Sequence, residues 1–291
     1  MVDGAGGSTV AYTAGMTTIR ECRLAAAARG IDRFDADLLL EHVLGRGRGW
    51  LLAHADDALD AAAEAALAAL IRRRQAGEPV AYLLGHWGFW SLDLEVSTAT
   101  LIPRVETELL VELALRHLPA PGNPTRLADL GTGSGAVALA LANERPDVQV
   151  TALDFSAEAL AVAQRNVRRL RLDNVHLVRG DWLAPLAPAR FDLIVANPPY
   201  VEAGDAHLQR GDLRFEPPAA LASGADGLDA IRAIVGAAGT CLKPGGWLLF
   251  EHGMAQGPAS RVLLTAAGYT EVATVQDLEH RDRVSLGRKP A

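Results

Sequence analysis

TRLADLGTGSGAVALALANE, residues 125–144, decides the fold. A short apolar run leads into a loop holding Gly131, Gly133 and Gly135, and an alanine- and leucine-rich stretch at helical spacing follows. This reads as strand, tight loop, helix. Glycines permit positive φ and let a backbone approach a ligand closely, while a helix N-terminus leaves N–H donors free. Gly131, Gly133 and Ala136 also satisfy the GxGxxG/A spacing, so the loop alone fits several nucleotide-like cofactors.

The same alternation continues outward. VQVTALD (148–154) precedes SAEALAVAQRNVRRL (156–170), and VHLVRGD (175–181), FDLIVAN (191–197) and GWLLFEHG (246–253) are further short apolar strands. Strands alternating with helices predict an α/β fold: a seven-stranded, mainly parallel, Rossmann-like sheet covered on both faces. YTEVATVQD (269–277) and RVSLGRK (283–289) predict an antiparallel pair at the end of the chain.

Upstream, residues 17–77 read as a small domain that is helical throughout. IRECRLAAAARGI (19–31), DADLLLEHVLG (35–45) and AEAALAALIRRRQAG (63–77) carry apolar residues three and four apart, with Gly30, Gly45 and Gly77 as helix ends. Residues 78–104 are expected to form a β-hairpin connector, from Trp87, Phe89 and Trp90 followed by alternating Leu92, Leu94 and Val96. Pro103 is expected to open the helix ETELLVELALRHL (106–118), so that the second domain spans 105–291. Residues 1–16 read as a flexible tail, not a secretory signal, with Met16 as an alternative start.

Composition narrows the function. The chain of 291 residues is 49% hydrophobic and 22% charged, with a net charge of −7, which argues against nucleic-acid binding by general electrostatics. No apolar run reaches the length of a membrane span. Cys22 and Cys241 form neither a disulfide framework nor a CxxC pair, as suits a reducing, cytoplasmic setting.

Three acids and one aromatic choose among cofactors. Asp154 ends the second strand of the series, where a carboxylate can accept both hydroxyls of a ribose; a dinucleotide site would look the same there. Asp129 tips the balance, because a carboxylate beside a pyrophosphate is repelled whereas one beside the ammonium of S-adenosyl-L-methionine is attracted. Asp181 can accept from the adenine amine and Trp182 can cover a ring face, although Asp154 as a helix cap and Trp182 as plain core are the competing readings.

Asn197-Pro198-Pro199-Tyr200 follows the fourth strand directly, where open α/β sheets bind ligands. Prolines fix φ and remove N–H donors, leaving a rigid edge that offers two acceptors, the Asn197 side-chain oxygen and the Pro198 carbonyl. Two acceptors suit a planar nitrogen with two N–H bonds, in an amide or an adenine amine. Tyr200 adds an apolar wall with a polar tip.

With these motifs in hand, the sequence resembles the PrmC/HemK family, the protein-glutamine N5-methyltransferases that modify peptide chain release factors. TLIPRVETELLVE (100–112), residues 127–146, QRNVRRLRLDNV (164–175), GDWL (180–183), FDLIVANPPYVE (191–202), residues 207–229, GGWLLFEHG (245–253) and DRVSLGR (282–288) match in order. The resemblance implies a class I S-adenosylmethionine-dependent methyltransferase that methylates the glutamine of a Gly-Gly-Gln motif and releases S-adenosyl-L-homocysteine. It carries cofactor contacts onto Gly131, Thr132, Gly133, Ser134, Gly135, Asp154, Trp182 and Asn197, and substrate contacts onto Asn197 to Tyr200. It also implies that the helical domain docks the release factor, with a monomer, no membrane and no nucleic acid expected.

The nearest rival is an adenine-N6 methyltransferase on DNA or RNA, which the same tetrapeptide would suit but which needs a base-flipping cavity and basic surface. A nicotinamide-dependent oxidoreductase would keep the glycine loop but has no need of the tetrapeptide. Weaker signals are Arg104, Glu106 and Glu108, which either line the site or merely open a helix, and the stretch 202–218, expected to fold over substrate with Arg214 and Glu216 paired. His252 is expected to be a satisfied structural histidine; no metal ligand spacing surrounds it, and none is expected. Arg168, Arg169 and Arg171 are expected on a solvated face.

Overall fold

The computed structural model describes residues 17–291; the tail assigned to 1–16 lies outside the described residues. The chain divides into two compact units after Leu84.

The first unit is helical: α1 (Ile19–Ala28), α2 (Arg33–Leu44), α3 (Arg48–Ala53), α4 (Ala61–Gln75) and α5 (Val80–Leu84). Each long helix opens on a side chain that satisfies free N–H groups. Thr18 and Glu21 form a reciprocal capping box on α1, Asp32 accepts from Phe34 N–H on α2, and Asp60 accepts from Ala63 N–H on α4. Gly45 ends α2 at φ +62°, a left-handed conformation that glycine adopts without a Cβ clash. Ile19, Leu39, Leu40 and Leu51 form its fully buried centre. Asp37 is also buried there, and Arg23 Nε meets its Oδ1 at 2.6 Å.

Two details differ from the sequence reading. The segment is not helical throughout: after the short α3, residues 54–60 are turn and coil, and Ala58 forms an isolated antiparallel bridge with Thr18. Nor is 78–104 one connector. Pro79, whose fixed φ suits a first helical turn, opens α5, and the hairpin occupies only β1 (His86–Phe89) and β2 (Leu92–Glu95). Trp90 sits in its two-residue turn at φ +55°.

The second unit continues with α6 (Glu108–His117), preceded by a 3-10 turn over 105–107, so the helix starts later than Pro103 suggests. Then follow β3 (Thr125–Leu130), α7 (Ala136–Glu144), β4 (Val148–Asp154), α8 (Ala157–Leu170), β5 (Val175–Arg179), β6 (Phe191–Ala196), α9 (Asp229–Cys241), β7 (Leu242–Glu251), α10 (Gly257–Ala266), β8 (Thr270–Gln276) and β9 (Asp282–Arg288). The seven-stranded sheet has the order β5-β4-β3-β6-β7-β9-β8. Pairs among β3 to β7 are parallel; β9 runs antiparallel to both β7 and β8.

Alternate residues of the central strands face opposite sides, and both sides are apolar. Leu127, Leu193, Val195 and Leu249 pack with Leu110 and Leu139 of α6 and α7. Ala128, Ile194 and Phe250 pack with Ile231 of α9 and Leu264 of α10. Because β3 lies between β4 and β6, the chain leaves it in both directions, and the crevice at that reversal is where such sheets bind ligands.

Leu193 is wholly buried, so Leu193→Ala should lower unfolding free energy by about 2–5 kcal/mol. Urea denaturation checks this against Val262→Ala on the exposed side of α10, which should stay within about 0.5 kcal/mol of wild type.

Candidate active site

The carboxyl ends of β3, β4, β5 and β6 converge on a cavity of about 810 Å³, within the range of small-molecule and cofactor sites. Its floor is the loop after β3. Gly131 and Gly133 stand at φ +71° and +58°, and a Cβ added at Gly133 would meet nothing within 4 Å. At Gly131 the nearest atom to such a Cβ would be Trp182 Cζ3 at 3.4 Å, so the indole rests against the loop. Trp182 itself adopts φ +44° in the turn after β5. Gly135, the residue before α7, does not line the cavity; its N–H donates to Thr132 O at 2.8 Å and closes the turn.

Four acids line this cavity, Asp129, Asp154, Glu158 and Asp181. Asp129 is almost fully buried and accepts from Thr132 Oγ1 at 2.6 Å and Ala138 N–H at 3.2 Å. Burial pushes its carboxyl up to about 6, against those two hydrogen bonds, and nearby Asp154 adds to the rise. Asp154 accepts from Gly133 N–H through Oδ2 and from Ser156 N–H through Oδ1, each at 2.9 Å. Ser156, not Asp154, caps α8 by accepting from Ala159 N–H. Each Asp154 oxygen therefore keeps a lone pair for a further donor. Asp181 is exposed on the cavity wall.

Asn197 and Pro199 also line the cavity, whereas Pro198 is buried and neither it nor the half-buried Tyr200 lines it. Asn197 Nδ2 donates to Thr107 Oγ1 at 3.0 Å, Thr107 Oγ1 donates to Glu251 Oε2 at 2.7 Å, and the Tyr200 hydroxyl donates to Glu251 Oε1 at 3.2 Å. Burial pushes the Glu251 carboxyl up; the Thr107 and Tyr200 hydrogen bonds and the Arg283 cation oppose it. Burial and Glu251 together push the Tyr200 phenol up, so it stays a donor. Behind the tetrapeptide, Gln256 Nε2 donates to Tyr200 O, and Gly227, at φ +73°, leaves no room for a Cβ beside that carbonyl.

Several contributors carry no signal of their own in the sequence reading. Thr107 and Gln256 sit far in sequence from the groups they hold. Phe155, largely exposed after Asp154, lines the cavity. Asn166, fully buried on α8, donates to Ser134 O and Glu95 O and accepts from Glu95 N–H, tying β2 to the glycine loop. For Asn166 alone a signal exists: an asparagine on the buried stripe of an amphipathic helix.

The weaker expectations resolve individually. Glu216 pairs with Arg104 and not with Arg214, whose guanidinium lies 5.0 Å from the Phe215 ring. Arg214 lies within a 3-10 turn over 211–215 and Glu216 just past its end, while Arg104 and Pro217 both reach the cavity wall. Glu108 accepts from Trp90 N–H and so serves the hairpin. His252 is buried and satisfied by Ser285 Oγ and Gly253 O. Arg168, Arg169 and Arg171 are exposed.

Comparison with known proteins agrees in both units. Residues 106–213 match the methyltransferase small domain family, and residues 21–85 match the PrmC N-terminal domain. The release factor glutamine methyltransferase of Xylella fastidiosa (strain 9a5c) is 56% identical over 267 residues, covering 92% of this chain and 97% of that protein. The protein of that name from Escherichia coli (strain K12) is 47% identical over 270 residues, covering 93% and 97%. A methyltransferase structure from Pyrococcus furiosus aligns with a TM-score of 0.52 at 19% identity, over 77% of this chain and 98% of that one, and shares the fold.

The raised Asp129 carboxyl has a thermodynamic consequence. Its folded pKa exceeds the unfolded value of 3.8, so the folded state takes up the proton more readily and stability falls as pH rises from about 4 to about 6. Asp129→Asn lacks that loss. Relative to wild type, the ligand-free variant should gain up to about 3 kcal/mol between pH ~4 and ~7, measured by urea unfolding at each pH.

Proposed function

The chain belongs to the family of release factor glutamine methyltransferases, and we propose that it methylates the side-chain amide nitrogen of the glutamine in the Gly-Gly-Gln motif of a peptide chain release factor. The observation carrying this reading is the Asn197 amide: its NH2 is committed to Thr107, so its oxygen is left to accept from a substrate N–H at the cavity.

The pocket fits S-adenosyl-L-methionine. Asp129 is a buried carboxylate without a cationic partner, suited to the ammonium of the amino-acid part. Asp154 keeps free lone pairs for two ribose hydroxyls, Asp181 and Trp182 border the space for the adenine, and the backbone from Gly131 to Ser134 forms the close-approach wall. When bound, the cofactor supplies an electrophilic methyl group.

The protein's own contribution is positional. An amide nitrogen is a weak nucleophile because its lone pair is delocalised into the carbonyl. Acceptors at Asn197 Oδ1 and the Pro198 carbonyl would hold both N–H bonds in a geometry that frees the lone pair and aims it, and orientation of this kind supplies much of an enzymatic acceleration. Glu251 does not line the cavity and meets it only through Thr107 and Asn197, so this carboxylate orients its neighbours and leaves the amide proton to solvent after transfer. The helical unit, matched to the PrmC N-terminal domain, is proposed to dock the release factor, so that binding energy remote from the glutamine positions a poor nucleophile. We place the reaction in the cytoplasm, with a monomer as the working form; no helix among the described residues is long and apolar enough to cross a membrane.

Purified protein should transfer labelled methyl from S-adenosyl-L-methionine to a release factor, with mass spectrometry placing it on the Gly-Gly-Gln glutamine. Label entering DNA or RNA and never the release factor would overturn this in favour of adenine methylation. Asn197→Ala should keep cofactor affinity within a few-fold by calorimetry while losing about 10²-fold or more in turnover. Cofactor affinity in wild type should also weaken as pH falls through about 6, where Asp129 takes up its proton, and Asp129→Asn should abolish that dependence.

A further inference from the structure

We infer that Glu251, acting through Thr107, sets which end of the Asn197 amide faces the substrate. The inference rests on the methyl transfer proposed above. An asparagine side chain is nearly symmetric in shape, and only its hydrogen-bond partners decide whether oxygen or NH2 points a given way. Here the partners form a directed chain. In its ionised form Glu251 accepts only, so both neighbouring hydroxyls then donate: Tyr200 to Oε1 and Thr107 to Oε2. Thr107 has one proton, and Glu251 takes it. Its oxygen can then only accept from Asn197, which must offer Nδ2, and the 3.0 Å contact is that bond. Asn197 Oδ1 is therefore turned away from Thr107 and left for another donor.

The chain is shielded from water. Glu251 is 1% exposed, and Thr107, although it borders the cavity, is only 4% exposed, so water competes little for either partner. A reversed chain would place the Asn197 NH2 opposite the substrate NH2, donor against donor, and the nucleophile would lose an acceptor. Glu251 and Thr107 are thus positioning residues whose effect passes through one amide.

Turnover, KM for the release factor and cofactor affinity in a set of variants test this. Thr107→Ser keeps the hydroxyl and should stay within a few-fold of wild type; Thr107→Val should lose about 10²-fold in kcat with little change in KM or cofactor affinity. Glu251→Gln, which can donate to Thr107 and reverse the chain, should lose a similar factor. The diagnostic variant is the double substitution Asn197→Asp with Glu251→Gln. Asn197→Asp alone leaves two carboxylates competing for the single Thr107 proton. In the double variant the amide introduced at position 251 donates to Thr107, and Thr107 can donate to the carboxylate introduced at position 197. That carboxylate still presents an oxygen to the substrate. The double variant should therefore exceed Asn197→Asp in kcat, by about 10-fold or more, a reversal of sign that simple loss of packing cannot produce. The inference is overturned if Thr107→Val matches Thr107→Ser, if cofactor affinity falls in parallel with kcat, or if the double variant is no better than Asn197→Asp. The Thr107 pair leaves Glu251 in place and so decides the matter even should Glu251→Gln fail to fold. Wild-type turnover in the same assay separates this from the proposed function, whose failure would show there first.

Discussion

Parallel pairing of β3 with both β4 and β6 is the constraint from which the site follows. Parallel strands cannot be joined by tight turns, so each must be followed by a crossover, and every strand of the set ends on the same edge. That edge collects Asp129, Asp154, the turn with Asp181 and Trp182, and Asn197, although these are spread over a long stretch of chain. The sheet brings them together, and the apolar clusters on its two faces hold the sheet.

Within the cavity the two walls differ in their electrostatics. The glycine-loop side carries acids whose ionisation is resisted by burial, a cost that a cationic ligand can offset. The Asn197 side carries a neutral amide at its surface; the carboxylate behind it, Glu251, is set back from the wall and accepts a hydroxyl proton at each oxygen. A neutral acceptor edge facing a cation-seeking pocket suits transfer of a group from a charged donor to an uncharged nitrogen.

What the sequence made legible was what is local. The loop from Gly131 to Gly135, the acid at the end of β4 and the Asn197 tetrapeptide each declare their chemistry within a few residues, because tight turns and fixed prolines depend on immediate neighbours. The parallel sheet was legible for the same reason, as repeated short apolar runs. The partners were not. Thr107 meets Glu251 across 144 residues and Asn197 across 90, and nothing in the spacing of TELL or FEHG indicates that they share a proton. Arg214 stands beside Glu216 in sequence, yet Arg104 is the residue that reaches it. The aromatic run at Trp87, Phe89 and Trp90 marks the hairpin but not where it begins, and upstream of it Pro79 initiates a turn of helix instead; α3 is too short to display a period.

Asn166 carries a further meaning. Its amide bonds at once to the backbone of Ser134 in the glycine loop and to both backbone polar groups of Glu95 in the hairpin. Neither segment can then open on its own without leaving a buried amide unsatisfied, a loss of about 1–3 kcal/mol for each group stranded. Hairpin and loop consequently form one cooperative unit of local unfolding, whose protection against hydrogen exchange rises and falls together. A ligand that steadies the loop also slows the fraying of a ribbon that the cavity does not include.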